Sequence, residues 1–318
     1  MALTYATMVV AGSSLESRRK LCAKMGKKAE SEGVEIFHAS GRIQSILNPS
    51  THPEKINHLA KAVTLATCSI LMLPELGDIS LAEAEAAIAI DAAGLSNGQF
   101  VSRPGLYQKE VLQEKFAGLS AANFGLAELT DFADIAAKMD FCEPQHSLVK
   151  EATLISIDNA FTVKGVGMVA LGYVVSGQVS VHETLRTTEG KESEIRSIQV
   201  MDVSVDSAQA GSRVGLALRG LGEKDLEGAL LAPANLKTST KLGVRFRKAP
   251  FYKHDLLTSK GLSIAVAGQL IPCTVVEVQD SMLALECSVP LPTEKMRGML
   301  VNPSLPQGSQ RVAAALTW

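Results

Sequence analysis

The feature that most limits what this chain can become is a change of hydrophobic period near residues 140–150. Before it, short apolar runs of strand length alternate with longer amphipathic stretches. After it, apolar residues recur at every second position and turn residues follow at short intervals. The first pattern builds a parallel sheet covered by helices, and the second builds a sandwich or barrel. A chain with both in series folds as an α/β domain followed by all-β structure, and 318 residues are enough for two or three domains.

In the first part, residues 5–11 read as a strand. Ser13 and Glu16 form an S-x-x-E capping box that opens a helix running to residue 30. Residues 34–39 and 68–73 are predicted strands, and 52–67 carries a helical pattern. Ser80 and Glu83 open an Ala-rich helix ending near Gly94, residues 99–102 form a short strand, and 106–116 and 127–139 read as helices. Pro144, Gln145, His146 and Ser147 mark a linker. Predicted strands then follow at 166–175, 179–185, 195–201 and 213–219, and again at 241–247, 262–267, 273–278, 282–287 and 310–316. The expected division is an α/β domain over 1–146 and β-barrels over 150–233 and 236–318.

Composition excludes several classes. Hydrophobic residues at 46% and charged residues at 20% belong to a globular chain, and aromatics at 4% leave the cores to Ala, Val, Leu and Ile. No apolar run reaches the ~18 residues that span a bilayer, so no membrane association is expected. The first ten residues lack a basic residue ahead of their apolar stretch and read as a strand, not a signal peptide. Cys22, Cys68, Cys142, Cys273 and Cys287 lie far apart without a C-x-x-C pair. They are expected as reduced, buried thiols of a cytoplasmic protein. The six histidines have no metal-ligand spacing and no nucleophile partner, and no G-x-S-x-G elbow occurs, so neither a metal site nor a catalytic residue is expected. Charge is unevenly spread. Residues 1–150 hold 14 Lys and Arg against 17 Asp and Glu, 151–232 hold 7 against 11, and 233–318 hold 10 against 5. A basic end on an acidic chain favours an anionic partner.

The middle region contains Phe161-Thr-Val-Lys-Gly-Val-Gly-Met-Val-Ala-Leu-Gly-Tyr-Val-Val-Ser-Gly177, with Ile157-Asp158 just upstream. Downstream come Ile195-Arg196-Ser197-Ile198-Gln199 and Ala208-Gln-Ala-Gly-Ser-Arg213-Val-Gly-Leu-Ala-Leu-Arg-Gly220. Such glycines permit tight turns and close strand approach in a small barrel. The whole run resembles the second domain of translational GTPases, F-x-V-x-G-x-G-x-V-x-x-G-x-V-x-x-G followed by A-x-x-G-x-R-V-G-L-x-L-R-G. Lys248-Ala-Pro-Phe-Tyr-Lys253 is similar to a segment in the third domain of archaeal selenocysteine-type factors. The resemblance to Tu-type elongation factors implies a P-loop-GTPase-like α/β domain before two antiparallel β-barrels.

The departures are in the nucleotide motifs. A phosphate-binding loop needs G-x-x-x-x-G-K-[ST], and none is present. After the first strand stand only Gly12, Ser13 and Ser14, with Arg18 nearby. Gly26-Lys27-Lys28 falls inside the predicted helix, and Ser102-Arg-Pro-Gly105 occupies the place of the guanine-reading N-K-x-D. Of the D-x-x-G strings, Asp91–Gly94 closes a predicted helix and Asp225–Gly228 lies in a barrel. No cofactor is therefore expected, GTP and magnesium included. Gly12, Ser13 and Ser14 are left as a weak anion site at a helix N-terminus, or as an ordinary cap.

Candidate RNA-binding residues are Lys237, Lys241, Arg245, Arg247, Lys248 and Lys253, with Phe251 and Tyr252 placed to stack on a base. The plain alternative is a solvated basic face. Arg196 and Arg213 join them as motif positions of the second domain, or serve as structural residues. In the family resembled, the third domain touches the tRNA stem, and the second holds the aminoacyl end and meets the ribosome. The expected function is a non-hydrolysing elongation-factor-like protein that binds tRNA or the ribosome, or other translation proteins, and not DNA. The alternatives are a selenocysteine-type GTP-binding factor with an unconventional pocket, and a regulatory protein-interaction module.

Overall fold

A computed structural model describes residues 5–30, 33–39, 43–131, 142 and 148–318. In it the alternating first part becomes a seven-stranded sheet. Its strands are β1 (Ala6–Gly12), β2 (Lys27–Glu30), β3 (Val34–His38), β4 (Ile43–Pro49), β5 (Cys68–Met72), β6 (Gly98–Ser102) and β7 (Gly125–Glu128). Its helices are α1 (Leu15–Met25), α2 (Ile56–Leu65), α3 (Leu81–Ala92) and α4 (Lys109–Lys115). The strand order is β2-β3-β4-β1-β5-β6-β7; β4, β1, β5, β6 and β7 run parallel, with β3 and β2 antiparallel at one edge. Strand β1 sits at the centre and all of its residues are buried, as a parallel strand covered on both faces requires. Ser80 and Glu83 form the expected capping box on α3. That helix is Ala- and Ile-rich nearly all round because the sheet covers one side and the last barrel the other.

Several expectations are corrected. The side chain capping α1 is that of Ser14, which accepts from Ser17 N at 3.2 Å; Ser13 lies at φ 28° and Glu16 turns to Lys20. The helix stops at Met25 rather than residue 30. Gly26 is extended there, pressed so close to β3 that a Cβ would lie 2.6 Å from the His38 carbonyl oxygen. Residues 27–30 are therefore strand. Strand β4 was not predicted, because Gln44, Ser45 and Asn48 are buried polar residues that break the apolar pattern. Residues 127 and 128, expected at the start of a helix, are instead the end of strand β7. Residues 132–139 and the linker signals at 144–147 lie outside the described residues. Cys68 and Cys142, expected as free thiols, are joined in a disulfide across 74 residues with Cα atoms 5.6 Å apart. Both are buried in the apolar layer on one face of the sheet, and the distance between them in sequence hid the pairing.

The second domain contains β8 (Leu154–Val163), β9 (Gly167–Ser176), β10 (Gln178–Ser180), β11 (Thr184–Thr187), β12 (Glu192–Val200), β13 (Val203–Val205), β14 (Ser207–Gln209), β15 (Arg213–Arg219), a short helix α5 (Glu223–Leu226) and β16 (Leu230–Ala232). Six strands close a barrel in the order β11-β16-β8-β9-β15-β12, with β12 returning to β11 and β13 added at its side. The single strand predicted over 179–185 is two, broken at His182, which sits at φ 67°. The motif glycine Gly172 has a steric reason, since a Cβ would approach the Ser156 carbonyl oxygen to 2.3 Å. The third domain is a closed antiparallel barrel of β17 (Thr238–Lys248), β20 (Met282–Pro292), β19 (Gln269–Gln279), β18 (Ser263–Val266), β21 (Arg297–Val301) and β22 (Val312–Thr317).

The three domains are joined by buried polar contacts. Gln44 donates to the Arg213 carbonyl at 3.2 Å and accepts from its N–H at 2.7 Å, tying β4 to the first barrel. Gln269 donates to Ser156 and to the Ile157 carbonyl, tying the two barrels. On α3, Glu85 receives the Arg311 guanidinium and lies 3.1 Å from His52 Nε2. Among the described residues, no helix is long and apolar enough to cross a membrane.

Candidate functional site

The turn from β1 to α1 stands at the carboxyl ends of the parallel strands, where open α/β sheets place their ligands. Gly12 makes it tight: its φ is 84°, and a Cβ would lie 2.3 Å from the Met72 carbonyl oxygen. Beneath the turn, Arg18 is fully buried. Its guanidinium donates to the carbonyls of Gly12 and Ser13 (2.8 Å), to those of Pro49 and His52 (3.1 Å each), and to Asn48 Oδ1 (2.9 Å). Burial pulls the guanidinium pKa down to about 10, which still leaves it charged at neutral pH. The turn thus directs carbonyl oxygens at an internal cation.

The mouth of α1 is also occupied. Ser17 Oγ donates to Glu75 Oε1 at 3.0 Å, and the other Glu75 oxygen accepts from Arg103 Nε (3.3 Å) and Nη2 (3.2 Å). A carboxylate near a helix N-terminus is favoured by the helix dipole. Of the predicted anion site, Ser14 is the cap and Gly12 and Ser13 serve Arg18. Glu75 and Arg103, from the loops after β5 and β6, were missed. The only sequence signal for them was Ser102-Arg-Pro-Gly105. Both D-x-x-G aspartates are engaged structurally. Asp91 accepts from Ser120 N (2.8 Å) and from Arg247, while Asp225 accepts from Gly222 N (2.9 Å) and pairs with Lys191.

A cleft of about 770 Å³ separates the α/β domain from the first barrel. Lys27, Lys28 and His38 line one side, and Gln199, Met201 and Asp202 the other. Lys28 Nζ lies 2.8 Å from Glu35, which also holds Arg19 and Asn48. Burial alone would raise the Glu35 pKa, but the hydrogen bonds from Arg19 and Lys28 outweigh it and the carboxyl sits below its ordinary range. The predicted helix had hidden Lys27 and Lys28, which the edge strand instead carries to this cleft.

The basic residues of the third domain do not act as one group. Along β17, Leu242 and Val244 point inward while Lys241, Arg245 and Arg247 are exposed on the opposite face. Arg247 is bound to Asp91 of α3. Lys248 lies 5.9 Å over the Tyr252 ring. Tyr252 is itself buried, near Ser259 and Asn302, and is not open to a base. Phe251 is 79% exposed, at φ 64° in the loop with Lys253. Lys237 lies apart, at the junction of the three domains. In the first barrel Arg196 is exposed on β12. Arg213 is turned inward instead, paired with Asp158 at 3.0 Å and 5.6 Å over the Tyr173 ring. Its side chain thus links β8 and β9 within this barrel, while its backbone meets Gln44 of β4.

The model of elongation factor Tu domain 2 matches residues 167–231. An uncharacterized protein of Methanocaldococcus jannaschii is 30% identical over 271 residues, covering 82% of this chain and 84% of its own length. The selenocysteine-specific elongation factor of the same organism is 27% identical over 202 residues, 59% of this chain and 42% of that factor. The chain belongs to the elongation factor Tu-like, translational GTPase-like family. It is a translation-factor-like protein with an α/β domain before two closed antiparallel barrels. A bacterial selenocysteine-specific elongation factor shares this family fold with a TM-score of 0.79 at 15% identity, covering 98% of this chain and 58% of that one. The elongation factor SelB from Methanococcus maripaludis, in complex with the GTP analogue GppNHp, gives 0.78 at 16% identity, over 100% of this chain and 80% of that one. At such identities the structural likeness speaks for the fold alone. The chain spans less than half the length of the selenocysteine-specific factor of M. jannaschii, so that factor's activity is not carried over with its family name.

Proposed function

We propose that this elongation-factor-like protein binds RNA of the cytoplasmic translation machinery, tRNA or the ribosome, without a bound guanine nucleotide. The observation that carries the reading is Arg18. A phosphate at the β1–α1 turn needs N–H donors and an open cradle. Here the turn offers its carbonyls to a buried guanidinium, and Glu75 places a negative charge at the helix mouth. A diphosphate at the turn would find the N–H groups of Arg18 already committed to protein oxygens and would be repelled by Glu75. Phosphate affinity is instead available on the third domain, where Lys241 and Arg245 share an exposed face and Lys253 lies near Phe251. The cleft beside Lys27 and Lys28 is a place for the end of an RNA strand.

Fluorescent GTP titrated with magnesium should show no guanine-selective micromolar binding; such binding would favour a selenocysteine-type factor with an unconventional pocket. Filter binding with charged and uncharged tRNA, and co-sedimentation with ribosomes at low salt, should both be tried. Retention in at least one is expected, and failure in both refutes the RNA reading. A second reading, a protein-docking module, is favoured by Leu76, Leu81 and Leu106, exposed by 89%, 69% and 46% on the α/β domain. Partners that survive nuclease treatment in a pull-down, together with no RNA binding, would select it.

A further inference from the structure

A second cavity, of about 600 Å³, lies where the three domains meet. Its walls are mostly aliphatic. Val63 comes from the last turn of α2 and Leu95 from the segment after α3, Leu154 and Val175 from the first barrel, and Ala267 and Met296 from the second. That volume lies within the range of small-molecule pockets, and the predominance of aliphatic groups favours an apolar ligand body.

The rim is different in character. Lys237, Lys295 and Arg297 face Glu151 and Glu294 there, an excess of one positive charge. Two of these cations already have partners: Lys295 Nζ is 3.0 Å from Glu151, and Arg297 Nη1 donates to the Gly94 carbonyl at 3.1 Å. Lys237 is exposed and makes no ion pair among the described residues. A polyanion would meet the two rim carboxylates, whereas a single negative head has one cation left to meet.

From this arrangement we infer that the junction cavity is a binding site for an amphipathic organic monoanion. The ligand has an aliphatic or fused-ring body and one carboxylate or sulfonate head, which rests on Lys237. Because the walls belong to three domains, the ligand binds one relative arrangement of them and stabilises that arrangement by linkage. This inference does not rest on the RNA reading.

The test uses the full chain and the fluorescent probe 8-anilinonaphthalene-1-sulfonate, with decanoate as competitor. The native protein should show saturable binding of one equivalent with enhanced emission, reversed by decanoate, and decanoate should raise its thermal midpoint. Ala152 lines the cavity yet is solvent-exposed, so Ala152→Trp should narrow the site without disturbing a core and weaken the probe at least tenfold. Lys237→Glu should weaken both anions several-fold, and Lys237→Arg should restore them. The inference is overturned if binding does not saturate, if decanoate fails to compete, or if Lys237→Glu leaves both affinities unchanged. The charge variants decide the matter even if the tryptophan variant fails to fold.

Discussion

At the residue scale, the physics of this chain is concentrated in a few buried charges. Arg18 is worth keeping charged in the interior only because carbonyl and amide oxygens surround its fork. Removing it takes a buried donor from each of those oxygens, so Arg18→Ala should lower unfolding stability by about 3–5 kcal/mol, the scale of breaking a buried polar network. Urea unfolding measures this. It should not create a GTP site, since no lysine or magnesium ligand enters with the substitution. Glu85 and His52 contribute to the pH dependence, with Glu35 and His58 shifted in the same directions. Burial lowers the His52 pKa against the opposing pull of Glu85; for Glu85, burial would raise it but the bonds from His52 and Arg311 prevail and lower it. Both groups are thus depressed in the folded state relative to ordinary values of 6.5 and 4.5. Their contribution is full above those values and is lost as pH falls. The urea midpoint should therefore decline as pH falls below 6.5 and more steeply below 4.5, with a smaller decline in the upper range for His52→Gln. The pairing of Cys68 with Cys142 is checked by alkylation: without reductant, unfolded protein should expose three thiols, and five after reduction.

At the scale of elements, what the sequence made legible followed from what each strand or helix faces. Strand β15 has the predicted limits of 213–219 because its apolar residues meet an ordinary barrel core. Helix α3 was legible from Ser80 and Glu83, whose cap is local in sequence. Strand β4 was not, since Gln44 and Asn48 are buried against partners from distant elements, Arg213 in one case and Arg18 in the other. Strand β2 was hidden for another reason: Gly26 and the two lysines after it are compatible with a helix until β3 arrives beside them. The framework of the candidate site was legible as a degenerate turn. Its filling by Arg18 and Glu75 was not, because no spacing rule connects Arg18 to the carbonyls of residues 49 and 52. Strand β17 invites a direct test of the basic face. Lys241→Glu with Arg245→Glu should weaken RNA binding and reduce its log–log salt slope by about 1 for each phosphate no longer neutralised. Arg247 should be left intact in this test, because its bond to Asp91 holds α3 to the barrel.

At the scale of the whole molecule, the joints between domains combine apolar packing, as between α3 and the last barrel, with specific buried polar contacts. Gln44, Glu85 and Gln269 each commit a buried side chain to another domain. A variant that severs one joint, Arg311→Met, should leave each domain's secondary structure intact by circular dichroism. It should also separate thermal unfolding into more than one transition, readable by calorimetry, as the α/β domain uncouples from the last barrel.

The filled turn beneath Gly12 has a consequence for direction. A cyclic process runs one way when some step releases free energy drawn from outside it. On the reading proposed above, this chain carries no fuel, because its turn is committed to its own guanidinium and offers no cradle for a nucleotide. Each of its associations is then retraced by the route along which it formed, and occupancy follows the concentrations of its partners. Any ordering in time within a process it serves must be imposed by those partners.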